Sequence, residues 1–313
     1  MRRDSRARAF ALSRHLKYPA PRMRRSIAGG ALLLALATPL AALGGAVGTG
    51  STPFPWEDRL RGDAIVLLGE VHDNPVQHGL RLEVLRRAFE AGWRPAIAME
   101  QLDREHQVDI ERARMERPLD ADYLIEKAAT DHGKPINGWN WEYYRPYVAL
   151  ALQYGVPLLS ANLSRSDAQK IVERGYSAVF DDSMEHLLGL DRQRPALLVA
   201  QENEIDAGHC HALPKEQLPA MARAQLARDA VMAGVLREHG AQGVVLLAGD
   251  GHARRDIGVP TWFDPTMLAR VFAVAFLERG DRAPPASAFD ALVITDAAPR
   301  PDQCATLRRR EKS

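Results

Sequence analysis

The apolar positions of this chain fall into short β-branched runs separated by longer stretches with helical spacing. Ala64 to Leu68 is one continuous apolar run, and Gly243 to Ala248 carries a near copy of it. Such runs, bounded by glycine, read as strands buried on both faces of a parallel sheet. Further runs at 96–99, 156–160, 271–276 and 291–295 predict four more strands. After the first run, Leu80, Leu82, Leu85, Ala88 and Phe89 form the apolar stripe of a helix, with arginines opposite. A strand–helix–strand order makes parallel pairing the natural reading. Residues 103–147 read as charged helices, with turns at Asp131-His132-Gly133 and Asn137-Gly138. Residues 164–240 are mainly helical, broken at Gly208 and Pro214, and close on a helix over 219–239. The expected fold is α/β, a mainly parallel central sheet flanked by helices with a smaller helical insertion region. No flexible linker divides residues 51–305, so they read as one domain with helical insertions near 103–147 and 164–240.

The amino terminus has a different pattern. Met23-Arg24-Arg25 precedes an apolar stretch from Ser26 to Ala37, followed by mostly small residues through Ala46. A basic region, an apolar region and a small-residue region together make a secretory signal, so residues 1–47 read as an extension and signal peptide, with Met23 as an alternative start. A retained membrane anchor is the other reading of the same stretch. No cysteine lies near its end, so a lipoprotein anchor is not expected. The product is expected in the periplasm or outside the cell. Residues 306–313 form a basic tail.

Charge sharpens this picture. The chain carries +1 overall, but residues 1–50 hold nine of its 41 basic residues and one of its 40 acidic ones. The remainder has 32 basic against 39 acidic residues, or −7. A mildly acidic exported domain lacks the electrostatic footprint of a nucleic-acid binder. The two cysteines, Cys210 and Cys304, are expected to pair in an oxidising compartment. His209-Cys210-His211 is a compact ligand triplet, which keeps a metal role for Cys210 as the alternative.

Candidate chemistry sits where the twin strands end. The first run delivers Gly69-Glu70-Val71-His72 and the second Gly249-Asp250-Gly251-His252. Side by side, two such strands would place Glu70, His72, Asp250 and His252 in one crevice at their carboxyl ends, where open α/β sheets bind ligands. Glu100 ends the strand 96–99 and joins them. His72, His252, Glu70 and Glu100 could hold a divalent metal ion. The same four could act without metal, a carboxylate-oriented histidine serving as base and a second carboxylate as acid. Asn162 ends another strand, where it either faces the site or caps the next helix. Arg228 and Asp229 form either a surface pair or site-facing groups on an otherwise apolar helix. His78 and His106 read as surface or packing residues. The segment from Gly138 to Tyr147 holds five of the chain's 20 aromatic residues. Trp141, Tyr143, Tyr144 and Tyr147 could offer a flat face or a phenolate to haem, and Arg145 could pair with its carboxylate. A helix packed by its aromatic face is the alternative.

These residues resemble the ChaN-like family of the Tiki superfamily. The matching pieces are Leu68 through Pro75, Met99-Glu100, Gly138-Trp139 with the tyrosines after it, Ala161-Asn162-Leu163, His209-Cys210, Gln225 through Ala233, and Gly249 to His252 with Gly258-Val259-Pro260. The series spans about residues 60 to 305. The resemblance implies an α/β core with a helical region, and haem binding in iron uptake in at least part of the family. It also implies a shared site of Glu70, His72, Glu100 and His252, which related secreted metal-dependent proteases and antibiotic esterases use at the same positions. Many members look like lipoproteins, and this chain departs from them by lacking the anchoring cysteine. Two functions follow as expectations. One is an exported protein that binds haem, between the two subunits of a homodimer or beside the helical region, in association with an iron-uptake system. The other is a hydrolase, metal-dependent or using a His/Glu pair, acting on a peptide, ester or amide.

Overall fold

Six apolar runs become six strands of one sheet, and every pairing in it is parallel. The computed structural model describes residues 54–131, 134–302 and 304–305, all within one compact unit, Ser51–Ser313. The proposed signal peptide and basic tail lie outside the described residues.

In chain order, β1 (Ile65–Leu68) leads to α1 (Pro75–Glu90) and β2 (Ala96–Asp103). Helices α2 (Gln107–Glu116) and α3 (Ala121–Ala129) follow, then a small hairpin of β3 (Thr130–Asp131) and β4 (Lys134–Pro135). Helix α4 (Trp141–Tyr154) precedes β5 (Leu158–Asn162). Four helices come next: α5 (Arg165–Arg174), α6 (Asp182–Leu188), α7 (Pro195–Gly208) and α8 (Leu218–His239). The chain closes with β6 (Val244–Leu247), α9 (Asp250–Ala253), α10 (Pro265–Leu268), β7 (Val271–Glu278) and β8 (Ala291–Thr295). The sheet order is β5-β2-β6-β1-β7-β8.

Alternation of side chains sends five of the six strands into two cores at once, whereas β8 leaves Leu292 and Ile294 exposed on its outer face. Val66, Leu68, Ile97, Met99, Val245 and Leu247 join the core shared with α1 to α4. Ile65, Leu67, Ala98, Val244 and Leu246 join the core shared with α5 and α8. That is why the strands read as unbroken apolar runs. Burying each Val, Leu or Ile stabilises the fold by about 1.5–3 kcal/mol.

The structure differs from the sequence expectation at three places. Strand β2 continues past Glu100 to Asp103, with a register shift that sets Asp103 opposite Asn162. The second Gly-x-x-His segment is a single helical turn, α9, instead of a loop. On α1 the inward stripe is Gln77, His78, Arg81, Val84, Leu85, Ala88 and Phe89, whereas Leu80 and Leu82 are only partly covered. The first two turns are polar inward because they face the carboxyl end of β1 and its charged loop, and only the later turns lie on the apolar core.

Cys210 and Cys304 form the expected disulfide, with Cα atoms 5.5 Å apart and a sequence separation of 94. Cys210 and His211 both sit in the left-handed region at φ 58°. Side chains rarely adopt it, so the bridge holds a locally unfavourable turn. Replacing both cysteines with serine is expected to lower stability by about 2–4 kcal/mol, mainly through a freer unfolded chain. Thermal melts of the variant against the oxidised protein check this, and equal midpoints would show the bridge to be neutral.

Candidate functional site

Strands β1 and β6 are direct neighbours, with Leu68 opposite Leu247, so the two Gly-x-x-His segments leave the sheet together. The Asp250 N–H donates to the Glu70 carbonyl at 3.1 Å. The leading glycines are required by this contact. A Cβ on Gly69 would run into the Asp250 side chain and stand 3.0 Å from its Cα, and one on Gly249 would lie 2.9 Å from His72 Nε2.

Glu70 is buried and surrounded by donors. Its Oε1 accepts from the Tyr144 hydroxyl at 2.6 Å and faces His72 Nδ1 at 2.9 Å. Its Oε2 forms a direct ion pair with Arg81 and lies 3.4 Å from His78 Nδ1. Arg81 is fully buried, with its guanidinium carbon 5.7 Å from the centre of the Tyr147 ring. Burial lowers the pKa of His78, whose Nε2–H donates to the His72 carbonyl at 3.0 Å.

The second half mirrors the first. His252 Nδ1 lies 2.6 Å from Asp229 Oδ1, and Asp229 Oδ2 accepts from Gln201 at 3.3 Å. Both imidazoles thus have Nδ1 against a carboxylate, and both Nε2 atoms face Glu100. His252 Nε2 stands 3.5 Å from Glu100 Oε1, and His72 Nε2 stands 4.0 Å from Oε2. The Gly249 N–H donates to Glu100 Oε2 at 2.8 Å.

The charges follow from this arrangement. Burial works against an ionised Glu100, but His252, His72, the Gly249 N–H and Arg228 outweigh it and hold the pKa below the usual range. Burial also opposes the His252 cation, yet Glu100 and Asp229 raise its pKa. Asp229 is raised by burial, with His252 opposing. Burial pushes Asp250 up to about 7 against the Arg81 charge. The centre therefore pairs an ionised Glu100 with a proton-holding His252.

The outer residues form a second chain of contacts. Arg228 donates to Asn162 Oδ1 at 2.9 Å, and the Asn162 amide donates to Asp103 Oδ1 at 2.9 Å. Asn162 thus bridges strand ends instead of capping α5, whose cap is Ser164. The expected aromatic face is corrected for three residues. Trp141, Tyr144 and Tyr147 turn into the core, and Tyr147 donates to the His78 carbonyl at 2.8 Å. Burial raises the pKa of both buried tyrosines, so neither supplies a ready phenolate. Tyr143 is half-buried, with its ring stacked 4.7 Å from that of His78. Arg145 is exposed and pairs with Asp122 at 2.7 Å. His106 pairs with Asp109 at 3.1 Å, away from the centre.

The sequence reading missed Arg81 and Gln201, gave Trp139 no role beyond its place in the aromatic segment, and left His78 out of the site. Trp139 is half-buried, edge-on to His72 at 4.9 Å, with its Nε1 buried and unpaired. Among the described residues, no group of three or more His, Cys, Asp and Glu stands in metal-holding geometry. The divalent-ion alternative for His72, His252, Glu70 and Glu100 therefore gains no support.

A parallel sheet with an ionic histidine–carboxylate cluster at the carboxyl ends of its central strands defines an α/β protein with its candidate site at that end of the sheet. The family described as "Haem-binding uptake, Tiki superfamily, ChaN" matches residues 56–263, and the chain belongs to it. A structure titled "Cofacial heme binding to ChaN of Campylobacter jejuni" is 22% identical, covers 72% of this chain and 85% of its own, and superposes with a TM-score of 0.56. An erythromycin esterase, EreC, in an open conformation is 13% identical over 72% of this chain and 74% of its own, with a TM-score of 0.35. The type III effector HopBA1 is 13% identical over 75% and 88%, with a TM-score of 0.39. No curated protein matches.

Proposed function

We propose that this is an exported haem-binding protein serving iron acquisition. The family match over residues 56–263 carries the reading. The rim of the centre fits such a ligand better than the buried phenols do. His72 keeps 42% of its side chain exposed, Trp139 is half-buried edge-on to it, Tyr143 is half-buried against His78, and Val76 is exposed on the first turn of α1. The unpaired Trp139 Nε1 is a donor suited to a carboxylate of the ligand. Haem, when bound, supplies a ferric iron that a phenolate or imidazole can ligate. Here Tyr143 and His72 are the rim donors, and Trp139 lends an aromatic edge. The disulfide suits an oxidising compartment, in keeping with export.

Titration with haemin is expected to give a saturable absorption shift. His72→Ala or Tyr143→Phe should weaken binding at least about tenfold, a loss of about 1.4 kcal/mol. Tyr144→Phe should leave the spectrum in place. An unchanged haemin spectrum at micromolar protein rules the reading out. Light scattering on the same samples reads whether two copies assemble around haemin.

One observation favours a hydrolase as the second reading. The two imidazoles are each oriented by a carboxylate and meet across Glu100, the arrangement of a general base and acid pair. Turnover on a panel of esters and peptides, abolished by Glu100→Gln, would support it. An inactive wild-type protein across that panel removes it.

A further inference from the structure

We infer that Arg300, on the carboxyl-terminal arm, is the positioning residue of the His72 rim, and that the Cys210–Cys304 bridge keeps it seated. The inference rests on reading His72 as a group of the haem-binding site. The loop from Val71 to Asn74 is held on both sides by the last part of the chain. On one side, the Val71 N–H donates to Gln77 Oε1 at 2.7 Å, and the Gln77 amide donates to Thr295 Oγ1, at the end of β8, at 3.0 Å. On the other, Asn74 is buried, and its amide donates to Glu278 Oε1 at 2.7 Å and to the Asp296 carbonyl at 3.0 Å. Arg300 closes this second side. Its guanidinium reaches both oxygens of Glu278, at 2.6 and 2.7 Å, and both oxygens of Asp73, at 2.8 and 2.9 Å. A planar fork serves two carboxylates at once, which a lysine ammonium does poorly. Arg300 above all holds the Glu278 carboxyl down at about 2, against burial.

Without that guanidinium, the buried Glu278 carboxylate keeps only two neutral donors, the Asn74 amide and the Ala298 N–H. It turns toward water and draws Asn74 with it. Asn74 is also the cap of α1, accepting from the Val76 and Gln77 N–H groups at 3.0 and 3.2 Å, so the whole entry into the helix shifts. His72 stands directly before these contacts. Arg300 lies four positions from Cys304, a stretch that spans at most about 14 Å, so the bridge confines it near Asp73. Cys210, at the other end of the bridge, follows α7. That helix carries Gln201, which donates to Asp229, the carboxylate beside His252. One covalent link thus joins the loop of one histidine to the helix behind the other, and the rim is fully set only in the oxidised chain.

The indole N–H signal of Trp139 in nitrogen–proton NMR of the ligand-free protein reads the rim, because its ring stands edge-on to His72 at 4.9 Å. Trp93, whose Nε1–H donates to the Gly62 carbonyl at the opposite end of the sheet, is the control. Arg300→Gln and the double change Cys210→Ser with Cys304→Ser should each move the Trp139 signal and leave that of Trp93. Each should weaken haemin binding about five- to tenfold, the scale of one lost charged contact. Arg300→Lys, which keeps one ion pair, should fall between Arg300→Gln and the wild type in both readings. If Arg300→Gln does not fold, Asp73→Asn, at the exposed end of the same contact, should move Trp139 in its place. An unmoved Trp139 signal in the Arg300→Gln or Asp73→Asn protein overturns the role of Arg300, and one unmoved in the cysteine variant overturns that of the bridge. Shifts shared by Trp93 mean general loosening and overturn both. A moved Trp139 with unchanged haemin affinity, or with no haemin binding by the wild type, supports the hold of the arm on the rim and counts against the haem reading.

Discussion

Arg81→Met and Glu70→Gln are each expected to cost about 3–5 kcal/mol of stability, and the two together far less than the sum. The reason is the cost of isolating a charge. Both side chains are fully buried and form one ion pair between the end of β1 and helix α1. Removing the cation leaves a carboxylate in a medium that cannot solvate it. Replacing the carboxylate with an amide leaves the guanidinium in the same position. Changing both leaves no buried ion, while the amide oxygen still accepts from Tyr144. Replacement of a whole buried pair is commonly neutral or stabilising. Urea unfolding of the four proteins in the cycle measures the coupling. Additive losses would mean the pair is solvated in the folded state, contrary to its burial.

The sheet was legible in the sequence because parallel strands covered on both faces leave a pattern that helices do not. Their unbroken β-branched runs, closed by Gly-x-x-His, also announced which strand ends would meet. Leu68 beside Leu247 follows from that resemblance between two segments. The partners of the twin loops were much less legible. Arg81 was assigned to an exposed face because an arginine on an amphipathic helix is nearly always exposed. Its signal was present in the spacing: Gln77, His78 and Arg81 continue the inward stripe of Val84, Leu85 and Ala88 backwards toward the helix start. A stripe that turns polar where a helix meets a strand end marks a buried charge to be matched. The aromatic segment left two readings open for a different reason. Clustered tyrosines suit both a ligand face and a helix interface, and composition does not say which side of α4 is inward. Helix spacing puts Tyr144, Tyr147 and Val148 on one face, the buried one, and Tyr143 and Arg145 outside it.

Asp250 should make the protein less stable as the pH rises, and Asp250→Asn should remove that loss. Burial pushes this carboxyl up to about 7 in the fold, against about 3.9 for an unfolded aspartate. A raised pKa means that the folded state binds the proton more tightly. Its stabilising contribution is complete below about pH 3.9 and disappears as the pH climbs through about 7. Three pH units correspond to about 4 kcal/mol. His252, also raised, loses its contribution in the same direction above its folded value. Glu100, lowered, acts on the acid side, where its contribution is lost as the pH falls below its ordinary range. Subtracting the variant from the wild type at each pH cancels these two, because Asp250→Asn leaves both in place. Asparagine is neutral at every pH and nearly the same shape, so the Gly69 contact is retained. The difference in unfolding free energy between the two proteins should therefore change by about 4 kcal/mol between pH 4 and pH 8, in favour of the variant at the higher value. A difference that stays constant across that range would mean Asp250 ionises in the fold as it does in the unfolded chain, solvated despite its place beneath the two glycine loops.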